Sequence, residues 1–284
     1  MENKVKINDD YSIMKVSIQS KIDINESMFE WHNSANYLCN FMRERKYLYN
    51  AITNMALFPR YNTEIIDYLN NLTFRKISFP MLCFCDIPLT KVSSHMNRYG
   101  MFGIALKKRN CIIRDVQPIQ YINRKSRLCK DMADAFAKAN EFEQNNIGIQ
   151  ESIMSDMFLS HLLYVKPIDG FMERNNSEEK VLFQDECEWR FIPELPDDMP
   201  LILPEAYTNP KGNEHFSSAL DEYKSTRYNF ELDDIAYIIV PSEHECELLI
   251  SKIISDSNSK KLNENSLKLI SKIEIADYFD KNLR

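Results

Sequence analysis

The sequence predicts an α+β fold: a single domain with a mixed, mostly antiparallel central sheet, N-terminal helices and a helical insertion. Two observations support this class. Short apolar runs of strand length recur near residues 81, 102, 118, 188, 235 and 268. Helical periodicity between residues 125 and 163 interrupts them, which predicts the insertion. We expect residues 1–26 to form a flexible arm or edge segment and residues 27–284 to form the domain.

Length and charge limit the classes of protein to consider. The chain has 284 residues, of which 44% are apolar, enough for a packed core. Its formal charge of −7 disfavours broad, non-specific adhesion to nucleic acid. The first residues, MENKVKINDDYSIMKV, contain no signal-peptide pattern, and no run approaches the roughly 18 apolar residues of a spanning helix. We therefore expect a cytoplasmic protein without a membrane partner.

Helical patterns precede the first clear strand. Apolar residues recur at three- and four-residue steps between residues 30 and 55, which predicts one or two amphipathic helices. A further short helix is predicted over residues 63–70, with Asn62 as its N-cap. These segments supply the N-terminal helices of the predicted fold.

The stretch FPMLCFCDIPLTKVSSHMNRYGMFGIAL places ionisable residues between two apolar runs. The expected elements are a strand over residues 81–85, a helix over 90–99 and a strand over 102–106. Asp86 and the proline after it end the first strand. On the helix, His95 and Tyr99 are four residues apart and share a face. Asp86, His95 and Tyr99 are therefore candidates for a site near the strand ends.

The second half of the chain alternates between strands and helices. We expect strands over residues 118–122, 181–192, 234–241 and 268–279, helices over 125–143 and 149–163, and a long loop over 195–213. Ser242 is placed to cap the helix that follows the strand ending at residue 241. The two helices before residue 163 form the predicted insertion, which we expect to pack on the sheet.

The seven cysteines are odd in number and scattered, so no disulfide framework is expected. Cys83 and Cys85, with His95, offer ligand types that zinc accepts. Alternation along a strand puts both thiols on one face, which is also where small core residues lie. We therefore expect the two cysteines to be structural and predict no metal site.

The segment ECEWR supplies the clearest pair of carboxylates. In an extended segment Glu186 and Glu188 lie on one side, with Trp189 available for packing. Such a carboxylate can orient a sugar hydroxyl or stabilise an electron-poor sugar carbon. The alternative is an edge strand in which Glu188 and Arg190 form a local ion pair. The chain contains no GxSxG, GxxxxGK or GxGxxG motif, which disfavours hydrolase-elbow and common nucleotide-loop chemistry.

Five short motifs, taken in order, resemble the AbiGi family of abortive-infection, anti-phage proteins. They are Phe58-Pro59-Arg60-Tyr61-Asn62, the run PMLCFCDIPL from Pro80 to Leu89, His95 with Tyr99-Gly100, Glu188-Trp189-Arg190, and the run DIAYIIVP from Asp234 to Pro241. The likeness covers roughly residues 35 to 255. It implies a role in phage defence as the antitoxin-like partner of a toxin.

The order of elements is also similar, more distantly, to DarT-like ADP-ribosyltransferases, which use NAD. That similarity implies Glu188 as the late-strand glutamate of the transfer reaction, with Glu186 as the neighbouring candidate. His95, on the helix face that it shares with Tyr99, is a further catalytic candidate. The sequence departs from that family at two points. Asn40 stands where such enzymes carry a histidine, and the arginine expected after the Phe-rich strand is replaced around Ile87 and Pro88. An altered pocket or a pseudo-enzyme would explain both departures.

The same similarity implies a set of NAD-binding residues. Tyr99 or Trp189 would stack on nicotinamide and Arg60 would pair with the pyrophosphate. The candidate cofactor-binding residues are Asn40, Arg60, Asp86, Tyr99 and Trp189. A nucleic acid or a protein would be the modified target.

Three hypotheses follow from the sequence. The first is an NAD-using ADP-ribosyltransferase-like effector, which predicts NAD turnover. The second is a catalytically silent scaffold that binds a partner toxin or antitoxin through an acidic surface, which predicts a stable complex and tolerance of Glu188→Gln. The third is a nuclease or other phosphodiesterase, which predicts dependence on a divalent metal.

Overall fold

The computed structural model describes residues 34–69, 75–144, 159–174, 177–256 and 263–279. Within these ranges the strands are β1 (Tyr37–Met42), β2 (Ala56–Leu57), β3 (Arg60–Ile65), β4 (Lys76–Cys85), β5 (Phe102–Lys107), β6 (Gln117–Pro118), β7 (Gln120–Ile122), β8 (Val165–Pro167), β9 (Asp169–Arg174), β10 (Ser177–Leu182), β11 (Glu188–Phe191), β12 (Tyr228–Asn229), β13 (Ile235–Val240) and β14 (Ile273–Ile275). The helices are α1 (Arg45–Asn54), α2 (Ser93–Tyr99), α3 (Lys108–Ile113), α4 (Arg127–Gln144), α5 (Pro210–Leu220), α6 (Glu243–Asp256) and α7 (Glu264–Ile270).

The central sheet has the strand order β14-β13-β5-β1-β4-β11-β6, and β3 pairs with the first half of β4. All of its pairings are antiparallel except the one between β13 and β14. β4 is the longest strand, and its second half lies between β1 and β11. The predicted class, α+β with a mixed and mostly antiparallel sheet, is confirmed.

Side chains from β1 and β5 alternate between the two faces of the sheet. On one face Leu38 and Ile104 pack with Leu48 of α1 and Leu249 of α6. On the other face Cys39, Cys85 and Ala105 lie against α2 through Met96. Helices therefore cover both faces of the sheet, which is why its inner strands read as almost continuous apolar runs.

A separate apolar cluster covers the first half of β4. Phe79 and Met81 pack there with Ala133 and Phe136 of α4. The first helix of the predicted insertion is therefore present and packs beside the sheet, as expected. Most of the second predicted helix lies outside the described residues, as do residues 1–26, so the predicted domain boundaries stay a prediction.

The strands predicted over residues 81–85, 102–106 and 234–241 are present as β4, β5 and β13. The segment 181–192 is divided: β10 ends at Leu182, a turn of 3₁₀ helix follows, and β11 begins at Glu188. The strand predicted over residues 118–122 is also divided, because β6 pairs with β11 whereas β7 pairs with β8. Ser242 caps α6 as expected, since its Oγ accepts from the amide of Glu245 at 3.4 Å.

Of the one or two helices predicted between residues 30 and 55, the structure contains one, α1, and a strand stands where the first part of the pattern was interpreted as helical. Residues 37–42 form β1, at the centre of the sheet between β4 and β5, and only α1 is helical within the described part of this segment. A strand buried on both faces has apolar residues at neighbouring positions, here Leu38 and Cys39. Over so few residues that pattern cannot be distinguished from helical spacing.

The helix predicted over residues 63–70 is wrong. Residues 60–65 form β3, which pairs in register with β4 from Met81 back to Lys76. The long apolar strand provides a partner for the backbone of β3, and this pairing outweighs the local helical preference. Asn62 therefore caps no helix; its side chain donates to the carbonyl of Arg60 at 3.2 Å.

Two later predictions also need correction. The loop predicted over residues 195–213 ends earlier, because α5 begins at Pro210 with Asn209 as its N-cap. The strand predicted over residues 268–279 is β14 alone, preceded by α7. Within the described residues no helix is both long and apolar enough to cross a membrane.

Candidate functional site

A cavity of about 500 Å³ lies beside β1, β3 and β4. Its lining includes six of the eight residues that the sequence singled out as catalytic or cofactor-binding. The six are Asn40, Arg60, His95, Tyr99, Glu186 and Glu188. Residues more than ninety positions apart in the chain are thus brought to one cavity. We call it the central cavity.

A chain of buried charges forms one wall of the central cavity. The Nζ of Lys166, on β8, donates to Glu186 Oε2 at 2.9 Å and to Glu188 Oε2 at 3.0 Å. The guanidinium of Arg190 donates through Nε to Glu188 Oε1 at 2.6 Å and through Nη2 to Glu64 Oε1 at 2.8 Å. We call these five residues the Lys166 cluster. Both carboxylate oxygens of Glu188 are therefore engaged by cations.

Local backbone geometry explains how the two glutamates meet one lysine. Glu186 ends a turn of 3₁₀ helix, and Cys187 follows in the left-handed region at φ 44°. That residue redirects the chain into β11, whose first residue is Glu188. Alternation along β11 then places Arg190 on the same face as Glu188. The sequence analysis expected the two glutamates on one side, and they do lie together, although the segment is a turn followed by a strand.

Burial and charge oppose each other in the Lys166 cluster. Burial alone would raise the pKa of the Glu188 carboxyl, but Arg190 and Lys166 hold it well below its usual range. Burial would likewise lower the pKa of the Lys166 ammonium, whereas Glu188, Glu64 and Glu186 hold it well above its usual range. Glu188 and Lys166 are therefore both ionised at neutral pH.

Aromatic rings form the opposite side of the central cavity. The rings of His95 and Tyr99 lie 4.5 Å apart with an interplanar angle of 37°, and the ring of Phe41 lies 5.7 Å from that of His95. The hydroxyl of Tyr99 donates to Glu186 in a short hydrogen bond, which joins this aromatic side to the Lys166 cluster. Burial first, and then Glu186, raise the pKa of Tyr99 above its usual range, so its hydroxyl stays protonated.

Two predicted NAD-binding residues lie elsewhere. Trp189 is in β11 between Glu188 and Arg190, so alternation turns it to the opposite face, where it packs in the apolar cluster under α1. Asp86 accepts from Lys108 Nζ at 2.6 Å and from the amide of Ala35 at 3.1 Å, on that same side of the sheet as Trp189. Neither residue lines the central cavity, so the structure does not bring these two together with the others.

The other two polar candidates lie at the central cavity with their side chains already engaged. Asn40 Nδ2 donates to the carbonyl of Cys83 at 2.8 Å. Arg60 Nη1 donates to Asp221 Oδ2 at 2.7 Å and to the carbonyl of Ser217 at 3.1 Å. The guanidinium expected to pair with pyrophosphate is therefore neutralised by the carboxylate of Asp221, the residue that follows α5.

Sequence reasoning missed Lys166 and Glu64 and treated Arg190 only as a local partner of Glu188. A weak signal existed for Lys166, since it is a single charge within the apolar run Tyr-Val-Lys-Pro. Glu64 was assigned to a helix, and β3 places it opposite Arg190 instead. The ion pair between Glu188 and Arg190 that the alternative interpretation of ECEWR predicted is present at 2.6 Å, but β11 is not an edge strand, because it pairs with both β4 and β6.

Among the residues that the structure describes, no group of three or more histidine, cysteine, aspartate or glutamate side chains is arranged to hold a metal ion. Cys83 lines the central cavity, whereas Cys85 lies beneath α2 with Cys39 as its neighbour on β1. Cysteines 39, 83, 85, 111, 129, 187 and 246 are all free thiols.

Fold and cavity together define a class: an α+β protein with a sheet covered on both faces and a cavity whose wall is a buried ion-pair cluster. The chain belongs to the AbiGi family of abortive phage resistance proteins. Residues 55–241 match the family described as "Putative abortive phage resistance protein AbiGi, antitoxin". These residues include β3, β4, α2 and β11, which carry most of the central cavity.

A curated relative supports the same assignment. The chain is 33% identical over 245 residues to "Abortive phage resistance protein AbiGi" from Lactococcus lactis subsp. cremoris, an alignment that covers 78% of this chain and 98% of that protein. No solved structure matches the chain. The resemblance found from the short motifs is confirmed.

Proposed function

We propose that this protein acts in phage defence as an antitoxin-like binding partner of a toxin, with a scaffold that is catalytically silent. The family description supports the antitoxin role. The observation that carries the silent scaffold is the engagement of Glu188, the residue matched to the transferase glutamate, by Arg190 and Lys166 on its two oxygens.

A transferring glutamate has to accept a hydrogen bond from the ribose or face the electron-poor sugar carbon. Glu188 would have to give up a charge-assisted bond of 2.6 Å or 3.0 Å to do so. Each such bond lies in a buried environment where an unpaired charge costs several kcal/mol. The guanidinium of Arg60 is already paired with Asp221, and Trp189 packs on the opposite face of the sheet, so two of the expected contacts with NAD are not available.

Charge favours a basic partner. The chain carries a formal charge of −7, and complementary charge speeds the encounter of two proteins and selects against wrong partners. A toxin that acts on nucleic acid would present such a basic surface. We expect the complex to weaken as the salt concentration rises.

The test combines capture and function. The tagged protein is purified from cells that carry its native locus, and the captured protein is then expressed alone or together with wild-type protein or the Glu188→Gln variant. We expect the captured protein to arrest growth and both forms to restore it. Loss of protection in the Glu188→Gln variant, with its fold intact, would contradict a silent scaffold.

A second candidate function is NAD-dependent ADP-ribosyl transfer. It is favoured by the convergence of Asn40, His95, Tyr99, Glu186 and Glu188 around one cavity of about 500 Å³. NAD is the cofactor of this proposal, and a protein or nucleic acid is its target.

Labelled NAD and cell lysate test the second candidate. The purified protein, the Glu188→Gln variant and the surface control Glu205→Gln are incubated side by side. The silent scaffold predicts no transfer that depends on Glu188. Label transfer that is lost in Glu188→Gln and kept in Glu205→Gln would establish the enzyme and overturn the first proposal.

A further inference from the structure

We infer that the central cavity is a binding site for a planar organic cation, of the guanidinium or amidinium class, and that it rejects ligands that carry phosphate or carboxylate groups. This inference goes beyond the proposed function, because it concerns the chemistry of the cavity whichever protein or metabolite presents the cation. It depends on the net charge of the Lys166 cluster, on one carboxylate oxygen of Glu64 that can accept a further hydrogen bond, and on the aromatic residues that line the cavity.

The first step is the charge of the cavity wall. Three carboxylates of the Lys166 cluster, Glu64, Glu186 and Glu188, meet two cations, Lys166 and Arg190, so the cluster keeps one net negative charge. Arg60, which also lines the cavity, adds nothing to this sum, because Asp221 neutralises it at 2.7 Å. An anion entering the cavity would therefore meet a negative wall in a partly desolvated site.

The second step is the available acceptor. Glu64 gives its Oε1 to Arg190 at 2.8 Å, and within the described part of the chain no hydrogen bond to its Oε2 is found. Its side chain is 18% exposed and lines the central cavity. A guanidinium or amidinium donor reaching Oε2 would complete the pairing of this carboxylate and cancel the net charge.

The third step is the aromatic side. Phe41, His95 and Tyr99 lie in sequence along the cavity in tilted ring contacts, and further rings at its lining come from Tyr47, Phe58 and Phe84. Aromatic faces attract cations through their quadrupole, and the planar guanidinium also stacks on them. A cavity of about 500 Å³ is within the range of small-molecule sites, roughly 300–1,000 Å³.

Three isosteric probes test the charge preference directly: benzamidine, benzamide and benzoate carry charges of about +1, 0 and −1 on the same ring at neutral pH. Their dissociation constants are measured on the full chain by ligand-observed NMR. We expect benzamidine to bind about tenfold more tightly than benzoate, with benzamide between them. Equal binding of the three, the reverse order, or no binding of benzamidine would overturn the inference.

Variants locate the effect in the cavity. Glu64→Gln removes the net charge and should reduce the preference for benzamidine over benzoate to less than about threefold, whereas Glu205→Gln, outside the cavity, should leave it unchanged. Asp221→Asn releases Arg60 and should strengthen benzoate binding. If Glu64→Gln fails to fold, Asp221→Asn keeps the test decisive: unchanged benzoate binding in that variant contradicts the charge argument.

The source of the cation is distinguished in a last arm. Agmatine represents a free metabolite and N-acetyl-arginine amide represents a side chain of a partner protein. Failure of both to bind would overturn the guanidinium assignment. None of these readouts uses NAD or a toxin, so failure here is distinguishable from failure of the proposed function.

Discussion

Two buried lysines on different sides of the sheet have opposite pKa shifts. Lys166 lies at the central cavity, and its pKa is held well above the usual range although burial opposes this. Lys108, at the start of α3, has a side chain with no exposed surface, and burial lowers its pKa although Asp86 pairs with it at 2.6 Å. Both ammonium groups form ion pairs, so the presence of an ion pair does not by itself decide the direction of the pKa shift.

The direction of each pKa shift follows from the number of carboxylates near the lysine. Glu188, Glu64 and Glu186 all act on Lys166, and together they exceed the cost of burying the ammonium. At Lys108 the carboxylate of Asp86 does not offset that cost. The charged forms of the Lys166 cluster therefore stabilise one another, whereas burying the charged ammonium of Lys108 lowers the stability of the fold. The predictions below test this difference, from the largest effect to the smallest.

Replacing Lys166 by methionine is expected to have the largest effect. The substitution leaves Glu186 and Glu188 facing each other in a buried site without their shared cation. Removing one partner of a buried pair costs about 3–5 kcal/mol in the free energy of unfolding. Urea denaturation measures the change. Lys180→Met is the control, because its side chain is 72% exposed, and it should change stability by less than about 0.5 kcal/mol.

Replacing Lys108 by methionine should cost less, about 1 kcal/mol, because the substitution also removes the desolvation cost that lowers the pKa of Lys108. The same urea experiment applies. A loss as large as that of Lys166→Met would show that the two lysines are equivalent and that the comparison is mistaken.

Acid should destabilise the protein through Glu188. Because the folded-state pKa of Glu188 is depressed, its contribution to stability is present above the ordinary carboxyl value of 4.5 and is lost as pH falls below it. In Glu188→Gln the slope of unfolding free energy against pH below 4.5 should be shallower, by up to about 1.4 kcal/mol per pH unit. An unchanged slope would assign the acid sensitivity to other carboxyl groups.

The smallest effect is expected at the edge of the central cavity. The pair of Arg60 and Asp221 is about one-third exposed at both side chains, so Asp221→Asn should change the unfolding free energy by less than about 1 kcal/mol. Thermal unfolding measures this change. A loss comparable to that of Lys166→Met would show that the pair of Arg60 and Asp221 contributes as much to stability as the Lys166 cluster does.

The sequence was sufficient for the fold class and for the elements with unambiguous patterns. The run from Met81 to Cys85 and the strand ending at Val240 are apolar, short and bounded by turn residues, and both are present. β1 and β3 were missed for physical reasons: β1 is buried on both faces and β3 depends on pairing with β4. The start of α5 had a readable signal, an asparagine followed by proline at the first helical position.

The candidate site, like the fold, could be predicted from the sequence only in part. Spacing within one helix correctly placed His95 beside Tyr99. Glu186 and Glu188 do lie together, but a turn before β11 brings them there and not alternation along one strand. Strand alternation, applied to Trp189, would have placed it on the face opposite Glu188. Lys166 and Glu64 could not be found by spacing, since each reaches the site from a different strand by tertiary contact.

The central claim is that the Lys166 cluster holds Glu188 as a permanently ionised, fully engaged group. The most direct test is a carbon-13 NMR titration of the glutamate side-chain carboxyl carbons, with Glu188 assigned by comparison with Glu188→Gln. We expect no titration of Glu188 between about pH 7 and about pH 4, while exposed glutamates titrate at their ordinary values. A midpoint for Glu188 within that interval would show that Arg190 and Lys166 do not hold it, and would contradict the account.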